Sequence, residues 1–558
     1  MQMRSIITFF ITLLCVANCF ANTKDTTLNR VVTVERNYRP DIIQVSKIQL
    51  TPYIQTEDTK SRSVIYSSYS NPLVVDYNLH PLKAAKTDFT PQSTLKGLVE
   101  GAVGHRNSHM AFGYRITEVE GMSLNLFANH DAYWGRDALS QSQLGMELVR
   151  HFKKMNIFFG VDGNNEYFTY YGRQYDGNKG LLVPIGTPID HQNLWKINAK
   201  IGMRTTNPKK PIQFGIQTGY KAFIAADYAV ENQVRTYFDL TWKARKKHGA
   251  GVNLYLQNSF YTKLFEDSVR HNKHALRLEP FYEYKHGSIC LHAGVNVDMN
   301  IGTGKLLSTV DNISFAPSPN IEFEWNMMDN IFHFYTTAKG SMGIGSLEEY
   351  LEYNRYLNIV EGVKFNTPRS YNPIDMQIGF KIRPINTMLI DVYGGYAYTI
   401  NGCNMMAIVD TVTPSVIDYS LTQSNYQLWK VGASLHYHYR DFVNVNVKGN
   451  YYAWKNMATT EVYDRPTWDL YARVDFNIDS KWSVYSENYF AGKTFAHTNK
   501  GIEQLKNTIS LNVGGQYAVN NWLLVYLQLN NYLNRKNDIF YGYQSQGCHF
   551  LGGVKYKF

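Results

Sequence analysis

The spacing of His436 and His438 raises the first question of chemistry. In an extended chain, residues two apart share a face, so Ser434, His436, His438 and Arg440 point one way and Leu435, Tyr437 and Tyr439 the other. Two imidazoles at that spacing could share a metal ion. No carboxylate accompanies them, so a polar wall is the plainer reading. His271 and His274, with Glu266 and Asp267, offer a second metal or ligand contact, against the alternative of a solvated loop. The aromatic run Tyr167, Phe168, Tyr170, Tyr171 and Tyr175 could stack on a sugar or a peptide, or hold one loop against another. There is no Gly-x-Ser-x-Gly elbow, His-Glu-x-x-His or Gly-x-x-x-x-Gly-Lys loop. The expectation is therefore no enzyme, no cofactor and no resident metal.

The chain opens with an export address. Arg4 precedes an apolar stretch over residues 6–16, and Cys19-Phe20-Ala21 places small residues for cleavage before Asn22. Residues 1–21 read as a signal peptide. A retained anchor and a lipoprotein at Cys19 are the alternatives, the latter disfavoured by Asn18. Cleavage leaves Cys290, Cys403 and Cys548, too far apart for a zinc site or a disulfide framework, with one bridge at most.

Composition narrows the class. Of 558 residues, 42 are Tyr and 29 Phe, and only 18% are charged. Beyond the leader no apolar run approaches the ~18 residues of a membrane-spanning helix, and the mean hydropathy is polar at −0.34. The aromatic content argues against disorder. A net charge of +10 would suggest nucleic acid. For an exported chain, anionic lipid or lipopolysaccharide is the better partner. Lys153-Lys154 and Arg245-Lys246-Lys247-His248 fall at expected short turns, where they could meet phosphates or simply be solvated.

The elements that must carry these residues are strands. From about residue 95 to 558 the pattern is period-two alternation in segments of about ten residues. Trp468, Leu470, Ala472, Val474, Phe476 and Ile478 oppose Asp469, Tyr471, Arg473, Asp475 and Asn477. About 22 strands are expected, starting near residues 95, 109, 122, 141, 155, 190, 211, 235, 249, 274, 288, 319, 331, 373, 387, 424, 442, 466, 481, 505, 522 and 549. From the third strand on, short turns alternate with long connections, among them 168–189, 299–318, 340–372, 397–423 and 532–548. Short turns on one rim and long loops on the other describe an all-β, antiparallel, transmembrane barrel of the outer membrane. Closure leaves no unpaired edge in hydrocarbon. The last strand ends on an aromatic, with Phe550, Val554, Tyr556 and Phe558 on one face. Such an ending resembles the signal read by the bacterial barrel-assembly machinery.

Twenty-two strands is transporter size, wider than the 16–18 of porins. The barrel, together with Val34-Glu35-Arg36-Asn37-Tyr38-Arg39-Pro40, Lys47-Ile48 and Tyr69-Ser70-Asn71-Pro72-Leu73, resembles the TonB-dependent receptor family in a plug-less, Bacteroidetes-type branch. The chain departs from that family at residues 22–94. This stretch is too short for the family's folded plug, and its prolines at 40, 52, 72, 81 and 91 favour an extended periplasmic or lumenal leader. Val31-Val32-Thr33-Val34-Glu35 resembles a TonB box, a strand that adds to a partner's sheet edge. The resemblance implies ligand uptake across the outer membrane, energised by TonB. The alternatives are a scaffold that assembles a surface complex with a lipoprotein or periplasmic partner, and a passive pore.

Overall fold

The computed structural model describes residues 96–558, apart from 117–120, 136, 172–174, 177–179, 182–190, 208–209, 227, 246, 265–271, 304–314, 329–330, 359–368, 410–415 and 458–461. The expected TonB-box-like segment, Val31 to Glu35, the leader and the signal peptide lie outside these residues.

Successive antiparallel strands hydrogen-bond in sequence order from Gly97–Gly104 to His549–Lys557, and those two close on each other. The sheet contains 24 strands, of which Thr494–Thr498 and Gly501–Leu505 form a hairpin above the wall, leaving 22 in the cylinder. At the seam Glu100 stands opposite Lys555 and Gly101 opposite Val554. Gly97 packs under the Phe558 ring there, and a Cβ would displace that ring.

Alternation places the two faces as the sequence implies. Along Leu523–Asn530, Val525 and Leu527 point outward and are exposed, while Leu524, Tyr526 and Gln528 are buried inside. Leu144, Ile201, Trp429 and Val431 extend the outward apolar band. Trp325, Tyr439, Trp482, Trp522, Tyr556 and Phe558 ring the short-turn rim, where amphipathic rings favour the lipid–water boundary. The lumen is lined by paired polar groups. Arg473 reaches Glu487 at 2.6 Å and Asp475 at 2.9 Å, Arg277 meets Asp298 at 2.7 Å, and Tyr335 donates to Asp391 at 3.0 Å.

Most strands begin within a few residues of the expected positions. Two begin well before them: Ala229–Arg245, expected near 235, and Val416–Tyr439, expected near 424. A barrel strand needs only ~9–11 residues to cross lipid. Met388–Val409 and Val416–Tyr439 run to 22 and 24 residues. They continue beyond the bilayer as a paired ribbon, so most of the connection expected at 397–423 is strand. Cross-strand pairing persists there because Met405, Ala407, Tyr419 and Leu421 bury against neighbouring loops.

Candidate functional site

The longest departure from strand is the connection between Phe332–Met342 and Tyr371–Ile385. Its sequence Ser346-Leu347-Glu348-Glu349-Tyr350-Leu351-Glu352-Tyr353 carries no period-two pattern and forms a helix over Leu347–Tyr353. Ser346 caps it, its hydroxyl accepting the Glu349 N–H at 3.1 Å, and the Glu349 carboxylate reaches back to the Gly345 N–H at 2.8 Å. This is close to a capping box, and acidic residues in a first turn suit the helix dipole. Gly345, at φ 66°, supplies the left-handed turn into the helix. At the other end Asn354 returns its N–H to the Tyr350 carbonyl and accepts the Tyr356 N–H.

The helix lies across the barrel mouth. It leaves the wall at the thirteenth strand, Phe332–Met342, and its side chains bury against the fifth to ninth strands, Met155–Thr169 to His248–Leu264, four to eight positions away in the 22-strand cylinder. Leu347, Tyr350, Leu351 and Leu357 are almost fully buried with Phe168, Leu194, Phe223 and Tyr261 on those strands. Met405, Tyr419 and Leu421 of the long ribbon join the same core, as does Tyr543 from the last long loop. Tyr356 stacks on Tyr543 with centroids 3.7 Å apart, and Leu357 forms a bridge to Tyr419. We refer to residues 343–358 as the lid.

Ion pairs fix the lid to the wall. Glu348 meets Lys221, Lys196 at 3.3 Å and Arg235 at 3.5 Å, from three adjacent strands. Burial would raise the Glu348 carboxyl, but Lys221, Lys196 and Arg235 outweigh it and hold the group below the usual range. Glu231, on the same strand as Arg235, accepts the Leu347 N–H at 3.0 Å and the Glu348 N–H at 3.4 Å. Lys196 pairs with Glu352 at 2.6 Å, Arg355 with Glu166 at 2.7 Å, and Lys273 donates to the Gly345 carbonyl.

A second loop braces the first. The Arg465 guanidinium lies over the rings of Tyr426, Trp454 and Tyr353, at 4.7, 5.4 and 5.7 Å. It donates to the Asn404 side chain and the Cys403 carbonyl. Its neighbour Asp464 is in the left-handed region at φ 60° and accepts the Met405 N–H at 3.3 Å. Burial pushes the Asp464 carboxyl up to about 7, against the pull of Arg465 and the Met405 N–H. The folded state therefore holds a proton that the unfolded chain releases above about 3.8, and loop stability falls as pH rises from there through about 7. Intrinsic-rate-corrected amide exchange of residues 462–467 should quicken from pH 5 to pH 8. Asp464→Asn should flatten that dependence.

The residues singled out from sequence are distributed as follows. Phe168 and Tyr170 are buried in the lid core, and Tyr171 packs on Tyr356 and Tyr543 while donating to the Gln544 carbonyl at 2.5 Å. Tyr167 tilts against His191, and Tyr175 belongs to a two-residue ladder with Gly180–Leu181. His436 and His438 stand opposite Asn446 and Asn444. Among the described residues no group of three His, Cys, Asp or Glu is placed to hold a metal ion. His274 bonds to Asn258 at 2.8 Å, and His271, Glu266 and Asp267 fall outside the described residues. Among the described residues Cys290, Cys403 and Cys548 form no disulfide. The basic residues Lys153, Lys154 and Lys247 sit at short turns. Sequence reasoning did not find Glu348, Glu231, Lys196, Lys221 or Arg235. The signal was present in part, as a Ser-x-x-Glu box opening a Leu/Glu/Tyr run inside a chain of strands.

These features define a closed outer-membrane-type barrel of transporter width with an internally folded mouth. No family model matches the sequence, and no curated relative matches it. Among solved structures, the chain is similar to the ferric enterobactin receptor of Pseudomonas aeruginosa, at TM-score 0.62 and 9% identity over 83% of this chain and 80% of that one. It is similar to the siderophore receptor PirA of Acinetobacter baumannii, at TM-score 0.62 and 10% identity over the same shares. The copper transporter OprC gives TM-score 0.62 at 9% identity, again over 83% and 80%. At these identities the likeness is one of fold.

Proposed function

We propose that this chain is an outer-membrane receptor of the TonB-dependent type, in a plug-less Bacteroidetes-like branch, that captures a ligand at its loop face and passes it through the lumen. The observation that carries the reading is the lid: a loop helix held by ion pairs in the mouth of a barrel of transporter width. In this reading residues 1–21 direct export, Phe558 addresses the assembly machinery, and the outward apolar band meets lipid and lipopolysaccharide. Residues 22–94 form the leader, with Val31 to Glu35 engaging TonB. The similar folds include receptors for ferric siderophores and a copper transporter, so a metal ion or chelate is the ligand class to try first. The aromatic run 167–175 would supply stacking surface once the lid lifts.

The test is uptake of labelled ferric enterobactin, a ferric citrate complex and copper by cells carrying the full chain or a chain lacking residues 31–35. Uptake of one of them with the full chain, lost on that deletion while surface binding persists, is expected. The close packing of the lid also favours a second reading, a sealed scaffold. That reading would take over if no uptake is seen and a lipoprotein or periplasmic protein co-purifies in near-equal amount.

A further inference from the structure

Lys196, Lys221 and Arg235 come from three neighbouring strands and turn their head groups to one point on the lumenal wall, where the Glu348 carboxylate sits. Both carboxylate oxygens are used, Oε1 by the two lysines and Oε2 by the guanidinium. Glu348 is almost fully buried, and its anchoring cations are no more than 30% exposed. Nothing else in the lid supplies a charge at that point: Glu352 reaches only Lys196, and it is itself 60% exposed. Glu231, on the same wall, is otherwise engaged with Gln233 at 2.9 Å, with Tyr261 at 3.1 Å and with the lid backbone.

We propose that the trio Lys196, Lys221 and Arg235 is an oxyanion-binding site, that Glu348 occupies it as a tethered stand-in for the ligand, and that an anionic ligand opens the lid by taking its place. This deepens the receptor reading and rests on it for the source of the ligand, but the site itself can be tested without transport. Lifting the lid would leave three cations unpaired in a confined wall, which is costly unless an anion replaces the carboxylate. A ligand bearing two or more carboxylate or phosphate oxygens offsets that cost. A neutral or cationic ligand does not, so the latch selects by charge. Competition also sets the sign of the mutational effect. A ligand whose site is occupied most of the time by an internal competitor binds with its affinity reduced by the free fraction, and removing the competitor restores it.

The experiment is calorimetric titration of citrate, and separately of inorganic phosphate, into the purified full chain in detergent micelles. Glu348→Gln should tighten citrate binding at least about tenfold. Adding K196Q, K221Q and R235Q to E348Q should abolish it. In the unmutated protein, millimolar citrate should speed backbone amide exchange across the described lid residues 343–358, whereas sodium chloride at equal ionic strength should not. This last measurement needs no variant and stands even if a substitution impairs folding. Equal citrate affinity with and without Glu348, binding that survives loss of the trio, or lid exchange indifferent to citrate would each overturn the proposal. Phosphate binding without citrate binding would keep the site and assign it to phosphate-bearing ligands. Failure of uptake in cells, with citrate binding intact, would count against the receptor reading alone.

Discussion

Lys555→Met should lower barrel stability by about 3–5 kcal/mol, the range for breaking one half of a buried ion pair. Lys555 Nζ lies 2.8 Å from Glu100 Oε2, and both side chains are almost wholly buried. The pair joins the last strand to the first in direct register, at the seam that closes the cylinder. Removing the lysine leaves the Glu100 carboxylate beside the His109 ring, 4.0 Å away and itself engaged with Asp131 at 2.6 Å. Replacing both partners, as in Glu100→Leu with Lys555→Met, removes the uncompensated charge and should recover most of the loss. Urea unfolding in lipid vesicles, followed by tryptophan fluorescence, gives the comparison. A single variant within 1 kcal/mol of the parent would show that the seam does not depend on this pair.

The second large effect concerns the mouth. Replacing residues 344–357 by a short Gly/Ser linker removes Leu347, Tyr350, Leu351 and Leu357 from the core they share with both walls, along with every ion pair made by Glu348 and Arg355. The wall itself keeps its ladder, because its backbone bonds run between neighbouring strands, and the one backbone bridge to the lid among the described residues, Leu357 to Tyr419, lies on the ribbon. Strand circular dichroism should be nearly unchanged, while the mouth opens. The deletion leaves buried polar wall groups such as Gln233, Gln257 and Ser259, now shielded at no more than 1% exposure, next to an aqueous opening. Such groups accept water, so the cost to the wall is small.

The barrel was legible in the sequence because its information is local. Alternation over ten residues decides which side chains face lipid, and the turn lengths decide the rims. Trp468, Phe476 and Ile478 face outward as that rule requires, with Asp469, Arg473 and Asp475 paired inside. The lid was not legible, because it depends on where a loop goes after it leaves the wall. Leu347 and Phe168 are separated by many strands, and nothing near either names the other. Phe168 and Tyr170 are a related case. They stand out as aromatics in sequence, and the structure places them under Tyr356, in contact with the lid. The ribbon formed by Met388–Val409 and Val416–Tyr439 shows the same limit: a strand that outlasts the bilayer loses its lipid-facing pattern, and its polar residues read as a loop.

The central claim is that the lid closes the mouth of a wide barrel. Single-channel recording in planar bilayers tests it most directly, with the chain from residue 22 compared with the same chain carrying the 344–357 replacement. The account predicts that the first is electrically silent and that the second forms large, stable, ohmic pores. A large conductance already present with the lid in place would contradict it, as would silence from the lidless chain.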